Sequence, residues 1–339
     1  EPTTPKPTKP TKPTKPTVPA KPEKPEKPTP AKAAACPACG TRGSLAPGEP
    51  ICPDCTERTA TLEQPFPEYR LIRQVGRGGM GLVFLGWSDV SNCPVALKVI
   101  HPAAALKPLQ AEKFIREADI LKQLNHPNIV GFREAGYADG VLFLAMEFVH
   151  GKSMAAALNS HQKIAEPIAV SLVCELLRAL EYAHAKRFVH RDLKPANLLL
   201  RVISPGKLGM KLADFGLARV YEASQLSGLT GTDEVGGTTA YMPPEQVLDY
   251  RNVKPPADQY AAAACLYTLL TGDCVYDQPS MVAQQLKQIL DEDPVPILDR
   301  NSDVNPTVAN AIMTALSRDP DDRFNDVRTF RKAIQPFAV

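Results

Sequence analysis

The octapeptide His190-Arg191-Asp192-Leu193-Lys194-Pro195-Ala196-Asn197 decides how the rest of the chain is read. It places a carboxylate (Asp192), an ammonium (Lys194) and an amide (Asn197) in one short loop. A carboxylate can take a hydroxyl proton, a cation can steady developing phosphate charge, and an amide oxygen can ligate Mg²⁺. Phosphoryl transfer asks for these groups because its catalysis is mostly positioning and electrostatics. Alone, the same residues would also serve as a basic, solvated turn, so the flanking sequence has to choose.

Downstream, Leu198-Leu199-Leu200 and residues 210–213 read as a hairpin around Ser204-Pro205-Gly206, ending at Asp214-Phe215-Gly216. Asp192, Asn197 and Asp214 then bracket one small hairpin, and their oxygens can converge at its mouth. Hard oxygen ligands with open positions suit Mg²⁺ carrying a nucleotide. Upstream, residues 168–186 are apolar nearly all round a helix, which predicts a buried helix. A Gly/Ser/Thr-rich segment at 217–236 carries Tyr221, Ser224, Ser227, Thr230 and Thr232; a loop of that length is usually disordered or functional. It leads into Gly237-Thr238-Thr239-Ala240-Tyr241-Met242-Pro243-Pro244-Glu245-Gln246, and helices are expected near 257–271, 281–290, 307–316 and 327–334.

The preceding region changes period. Residues 69–75 alternate as a strand and run into Gly76-Arg77-Gly78-Gly79-Met80-Gly81-Leu82-Val83. A dinucleotide-binding fingerprint would need these glycines to open a helix, whereas β-favouring residues follow here. A hairpin stripped of side chains lets backbone N–H groups approach phosphates, although an ordinary Gly-rich turn has the same look. The next strand, 94–100, is apolar except for Lys98. An ammonium there either snorkels from an edge or needs a partner, and Glu117, on a predicted helix at 110–124, is the expected one. His126-Pro127-Asn128 stops that helix. Strands are expected around 129–136 and 141–148, followed by a hinge-like connector at His150-Gly151.

Net charge is +2, which implies no general nucleic-acid or membrane field. The charge is uneven, +5 over residues 1–32 and −3 over the remainder. Residues 1–34 hold 11 of the 34 prolines, in a Pro/Lys/Thr/Glu/Ala tract that cannot offset its ordering entropy by burial. They are expected to be an unfolded spacer with polyproline II bias, reaching on the order of 100 Å at ~3.1 Å per residue; docking to a partner or an anionic surface is the other reading. No apolar run spans a bilayer. The chain starts at Glu1 rather than Met and is read as a piece of a longer protein.

Four of the eight cysteines form Cys36-Pro37-Ala38-Cys39 and Cys52-Pro53-Asp54-Cys55, two knuckles separated by 12 residues. Together they make the Cys₄ set of a structural Zn²⁺ site, and metal binding would supply the folding free energy that so short a segment lacks. Disulfides or a redox pair are the alternative. Residues 35–58 therefore resemble a zinc ribbon with a hairpin connection, expected to contact a protein rather than nucleic acid. Cys93, Cys174, Cys265 and Cys274 sit in apolar stretches as small buried hydrophobes. This usage fits a reducing, cytoplasmic setting.

Taken in order, Gly76-x-Gly78-x-x-Gly81-x-Val83, Val95-Ala96-Leu97-Lys98, Glu117, His190-Arg191-Asp192 to Asn197, Asp214-Phe215-Gly216 and Pro244-Glu245 coincide with the protein-kinase signature set. The chain resembles the bacterial eukaryotic-like (Hanks-type) serine/threonine kinases over residues 66–336, and Arg318-Asp319-Pro320 to Arg323 adds to the likeness. The resemblance implies an α+β bilobal fold. A β-rich N-lobe (66–149) would carry one key helix, and the C-lobe (150–336) would be mostly helical. It implies ATP and Mg²⁺, or Mn²⁺, as cofactors and protein Ser/Thr hydroxyls as substrates. Val75, Gly76, Gly78 and Gly81 would cover the nucleotide. Lys98, held by Glu117, would contact the α- and β-phosphates. Val83, Ala96 and Leu199 would sandwich adenine, its edge meeting the backbone at Glu147 and Val149 beside the gatekeeper Met146. Asn197 and Asp214 would hold Mg²⁺, Asp192 would accept the hydroxyl proton, and Lys194 would lie near the γ-phosphate. Leu121, Phe132, His190 and Phe215 match a packed column between lobes, with His190 as packing rather than chemistry. Glu245 should pair with Arg323, and Thr238 should face substrate. Arg191 would read a phosphate on Thr230 or Thr232. Pro243 and Ala263 depart from the family's usual Ala/Ser and Gly, which implies local packing adjustments. Two other readings stay open: a pseudokinase scaffold acting through the cysteines and tail, and a small-molecule kinase, which generally lacks the 237–245 platform.

Overall fold

The structure, a computed structural model, describes residues 35–41, 49–78, 81–100, 118, 122–138, 140–204, 207–215, 239–249, 252–277 and 279–339. The expectations for the tail, for the 110–124 helix with Glu117 and Leu121, and for residues 217–236 and Thr238 lie outside the described residues.

A five-stranded antiparallel sheet forms from β1 (Tyr69–Gly78), β2 (Gly81–Ser88), β3 (Cys93–Ile100), β4 (Phe132–Ala138) and β5 (Val141–Glu147), in the order β1-β2-β3-β5-β4. Successive side chains face opposite sides of a strand, so the register sorts the sheet into two faces. Leu71, Val95, Leu97 and Ala145 are buried on one face under Phe66 and Leu62. The Phe66 and Phe143 rings meet there at 4.7 Å. Gln64 clamps this linker to the sheet: its amide oxygen accepts from Leu71 N–H at 2.7 Å and its amide NH₂ donates to the Leu71 carbonyl at 3.1 Å. The other face carries Ile72, Leu85, Trp87, Ala96 and Lys98, since Leu85 pairs with Ala96 and Val83 with Lys98.

Helix α1 (Pro53–Ala60) grows directly out of the second Cys knuckle, with Cys52 at its N-cap, Pro53 in its first turn and Asp54 beside it. The sequence reading assigned no helix to residues 53–60. Proline at the first helical position, with an acid in the first turn, is a helix-start signal that the Cys spacing overshadowed.

The second lobe is helical: α2 (Met154–His161), α3 (Glu166–Ala185), α4 (Pro244–Leu248), α5 (Pro255–Thr271), α6 (Val282–Asp291), α7 (Ile297–Arg300), α8 (Pro306–Ala315) and α9 (Val327–Ile334). Its core joins α3, α5, α8 and α9, with Val173, Leu176, Leu180, Leu266, Ile312 and Phe330 almost wholly buried. Helix α5 is buried along both faces and stops at Gly272, whose φ of +85° is the left-handed C-cap that glycine adopts cheaply. Ala263 is fully buried in it, consistent with a packing role. A two-stranded ribbon, β6 (Leu198–Ser204) with β7 (Lys207–Leu212), lies between the lobes. Ile129 bridges in parallel to Leu212 there, so β4 begins at Phe132 and not near 129. The short helices α2, α4 and α7 carry too few turns for periodicity to announce them. Ser153 caps α2 by accepting from Ala156 N–H at 3.2 Å.

Candidate active site

Proline at position 195 ends the extended backbone of the octapeptide and starts one 3₁₀ turn, Pro195–Asn197, which swings Asn197 back over Asp192. The Asn197 amide donates to the Asp192 carbonyl at 2.8 Å and to its carboxylate at 3.1 Å. Both donations use the amide nitrogen and leave the amide oxygen for a cation. Lys194 Nζ donates to the Asp192 carboxylate at 3.0 Å.

What holds this loop is Asp258, in the first turn of α5, which the sequence reading passed over. It is 1% exposed. One carboxylate oxygen accepts from Arg191 N–H at 3.0 Å; the other accepts from His190 N–H at 2.9 Å and lies 2.8 Å from His184 Nε2. Burial alone would raise this carboxyl, but the His184 bond and charge, with the Arg191 N–H, hold it below the ordinary carboxylate range. The signal was available: an acid one turn into a helix otherwise buried on every side has to be paired.

His190 is fully buried, as the packing expectation had it, with its ring 4.7 Å from that of Phe215. It also does polar work. Its Nε2 donates to the Ala213 carbonyl at 2.9 Å, and its Nδ1 accepts from Asp192 N–H at 3.3 Å. One ring thus spaces the Asp192 loop from the Asp214 loop. Arg191 and Asp214 have φ of +69° and +60°, a left-handed conformation rare for residues other than glycine.

Across the cleft, Lys98 on β3 reaches Asp214 at 2.9 Å. Burial pushes the Asp214 carboxyl up, but the Lys98 ammonium more than offsets it and the group lies below its usual range. Val83, Ala96, Met146 and Leu199 are half-buried around the cleft, and Val75 is exposed at its rim. Gly76 and Gly78 pair with Val83 and Gly81 across the β1–β2 hairpin. Behind Met146, a pocket is lined by Phe132, Leu144, Leu212 and Phe215. The Glu147 backbone N–H donates to the Gly131 carbonyl at 2.7 Å. The Glu147 carboxylate, which the sequence reading gave no part, accepts from Lys211 Nζ at 2.7 Å and from Gly131 N–H at 3.1 Å.

Below the cleft, Glu245 and Arg323 form the expected pair, bidentate at 2.7 and 2.8 Å. Arg323 is buried over the Tyr260 ring at 5.0 Å and donates to the Pro256, Ser317 and Arg318 carbonyls as well. The Gln246 amide donates to the Arg191 carbonyl at 2.8 Å, and the Thr239 hydroxyl donates to Gln285.

The ligand-bearing sulfurs of Cys36, Cys39, Cys52 and Cys55 lie within 4.8 Å of one another, with Cys39 and Cys52 3.7 Å apart. Burial opposes ionisation of Cys39, yet bonds to Thr41 and to neighbouring thiols bring it down to about 6. Burial and the same neighbours push Cys55 well up. Four sulfurs so close ionise together only around a cation.

The model of the protein kinase domain matches residues 69–335. Serine/threonine-protein kinase Pkn1 of Myxococcus xanthus is 35% identical over 271 residues, covering 79% of this chain and 38% of that protein. Serine/threonine-protein kinase PknJ of Mycobacterium tuberculosis is 35% identical over 269 residues, covering 79% of this chain and 45% of the relative. The chain thus spans less than half the length of these relatives. The crystal structure of the Mycobacterium tuberculosis PknI kinase domain superposes with a TM-score of 0.62 at 26% identity, covering 80% of this chain and 97% of that one. With that lobe arrangement and those motifs in place, the chain belongs to the protein kinase family.

Proposed function

We propose that this chain is a serine/threonine protein kinase that transfers the γ-phosphoryl group of ATP to protein hydroxyls. The observation that carries the reading is the meeting of Lys98 from the N-lobe sheet with Asp214, beside the loop that holds Asp192, Lys194 and Asn197, on backbone fixed by Asp258 and His190. The donor set fits Mg-ATP: a carboxylate kept ionised at Asp214, a spare amide oxygen at Asn197 and two ammonium groups facing one cleft.

Asn197 and Asp214 would hold the divalent cation, Mg²⁺ or Mn²⁺, which supplies charge neutralisation for the phosphates. Lys98 would bind the α- and β-phosphates, with Glu117 as its further partner. Gly76, Gly78 and Gly81 offer backbone N–H groups to the same phosphates, and Val75 packs at the entrance. Val83, Ala96 and Leu199 bound the adenine slot, where the Glu147 carbonyl and Val149 backbone pair with the base edge beside Met146. Asp192 orients the substrate hydroxyl and takes its proton, and Lys194 keeps the carboxylate aimed while meeting charge that develops on the transferred group. Thr230 or Thr232 would carry an activating phosphate read by Arg191, with Thr238 facing substrate. The four cysteines would hold a structural Zn²⁺, with residues 35–58 as a module ahead of the kinase domain at 66–336 and residues 1–34 as a spacer; a protein partner at the cysteines also fits. No helix among the described residues is long and apolar enough to cross a membrane, and the cysteine usage favours a cytoplasmic site.

Radiolabelled ATP, Mg²⁺ and a generic basic protein test the reading. Wild type should transfer phosphate, and Asp192→Ala should lose about 10²–10⁴-fold in kcat while keeping nucleotide affinity. Equal rates in the two proteins would remove Asp192 from the reaction.

A further inference from the structure

The Cys₄ module does not stand apart from the kinase domain. Ala38, Ile51, Cys52 and Cys55 are 1–3% exposed, and they are buried against Ile72, Leu85 and Trp87. By the register, that is the nucleotide-side face of the sheet: Leu85 pairs with Ala96, and Val83, two residues along β2, pairs with Lys98. The module covers the Leu85–Trp87 end of this face, next to the positions proposed for adenine.

It also holds the connector between lobes. Phe148 packs against the same cluster as Cys39 and Ile51. The Phe148 and His150 rings meet edge-on at 4.8 Å and 90°. Val149, whose backbone would pair with the base, therefore sits between Phe148, which packs on the knuckle cluster, and His150, whose ring packs on Phe148.

We propose that the Cys₄ metal site is an effector site for nucleotide binding, in which bound Zn²⁺ keeps the knuckles rigid and the knuckles keep the Phe148–His150 connector in its ATP-binding conformation. The inference rests on the zinc reading of Cys36, Cys39, Cys52 and Cys55. So short a segment folds at the expense of metal binding, so losing the ion frees its grip on Phe148 and, through that ring, on His150. Ordering the connector then falls to the nucleotide, which binds more weakly. Coupling of this kind is reciprocal: whatever factor zinc adds to nucleotide affinity, nucleotide adds to zinc affinity.

The test uses the full chain. Metal analysis should find one zinc per chain. A non-hydrolysable ATP analogue with Mg²⁺ should bind the zinc-loaded protein on the order of tenfold more tightly than the chelator-stripped protein, within the about 5–150-fold usual for coupled sites. A chromophoric chelator competing for zinc should be outcompeted by the same factor when the analogue is present. Ile51→Ala keeps all four ligands and guards against a stripped protein that fails to fold: it should still hold zinc, but with the reciprocal effect reduced towards unity and KM for ATP raised at unchanged kcat. A chain that carries zinc yet binds the analogue equally with and without it overturns the coupling and leaves the zinc reading standing. Full coupling in Ile51→Ala overturns the proposed route through the apolar contact. A chain that takes up no zinc removes the zinc reading and the proposal with it.

Discussion

Replacing Asp258 by Asn tests whether α5 holds the catalytic loop. The carboxylate accepts three bonds, one at one oxygen (Arg191 N–H) and two at the other (His190 N–H and His184 Nε2). An amide keeps one oxygen and turns the other into a donor. Placed with its NH₂ towards Arg191, it loses one bond and sets donor against donor; the opposite flip loses two. A buried donor left unmatched costs about 1–3 kcal/mol, and the surviving bonds lose their charge assistance. The total comes to about 2–4 kcal/mol, or roughly 4–15 °C in Tm for a domain of this size. Arg191 and His190 flank Asp192, so the carboxylate should drift, and small misplacement of a reacting group costs up to about 10²-fold. Lys98 and the connector do not touch Asp258, so nucleotide affinity should hold within about twofold. The pH dependence has a definite sign. The Asp258 pKa is depressed on folding, so its stabilisation is present above the unfolded value near pH ~3.9 and is lost as pH falls through the folded value. The variant should lose that contribution at neutral pH and show a shallower acid limb. Thermal melts, kcat and analogue binding decide the matter: an unchanged Tm with unchanged kcat, or a loss of nucleotide affinity equal to the loss of kcat, would refute the anchoring role.

Arg323→Ala should destabilise by about 3–5 kcal/mol in denaturant titration, because it strips a buried bidentate pair and leaves Glu245 uncompensated; Arg323→Lys should recover only part, since an ammonium cannot match the fork. Gly151→Ala would put a Cβ 1.7 Å from the Leu200 carbonyl oxygen, which is backbone and cannot step aside. It should cost about 3 kcal/mol or more by the same assay, and wild-type stability there would mean that the connector and β6 are not in contact. Lys211→Met should cost about 1–3 kcal/mol by removing the cation from the buried end of the Glu147 bond, and it should raise KM for ATP more than it lowers kcat.

Strand and helix positions were legible wherever one face is buried over several residues. The alternation of residues 69–75, the short apolar runs of β3 and β5 and the apolar helix α3 are written directly in residue type. The Glu245–Arg323 pair was legible only through resemblance, since 78 residues separate the partners and no local pattern joins them. Asp258 and Lys211 were missed for the same reason: their partners come from other elements, and a lone charge in an apolar segment says that a partner exists without saying which. The two cysteine knuckles were legible as a sulfur cluster by spacing. Their seat on Ile72, Leu85 and Trp87 was not, because those side chains looked like ordinary sheet core and the sequence does not say what covers a face.

His190 shows how the pieces depend on one another. Resemblance made it packing, and burial against Phe215 agrees, but its hydrogen bonds set a stricter condition. The ring accepts from Asp192 N–H at one nitrogen and donates to the Ala213 carbonyl at the other, so it measures the distance between the proton-accepting loop and the loop carrying Asp214. Both loops meet that ring through backbone held at positive φ, at Arg191 and Asp214, a conformation that costs of order 1 kcal/mol or more at each residue unless the surroundings impose it. Asp258 imposes the first through Arg191 N–H, and the Lys98 ion pair grips the side chain of the second. Of these restraints the Lys98 contact alone comes from the N-lobe sheet. The C-lobe therefore fixes where the hydroxyl's proton goes, while the position of Lys98 depends on the sheet, and with it on whatever braces the Leu85–Trp87 end of that sheet.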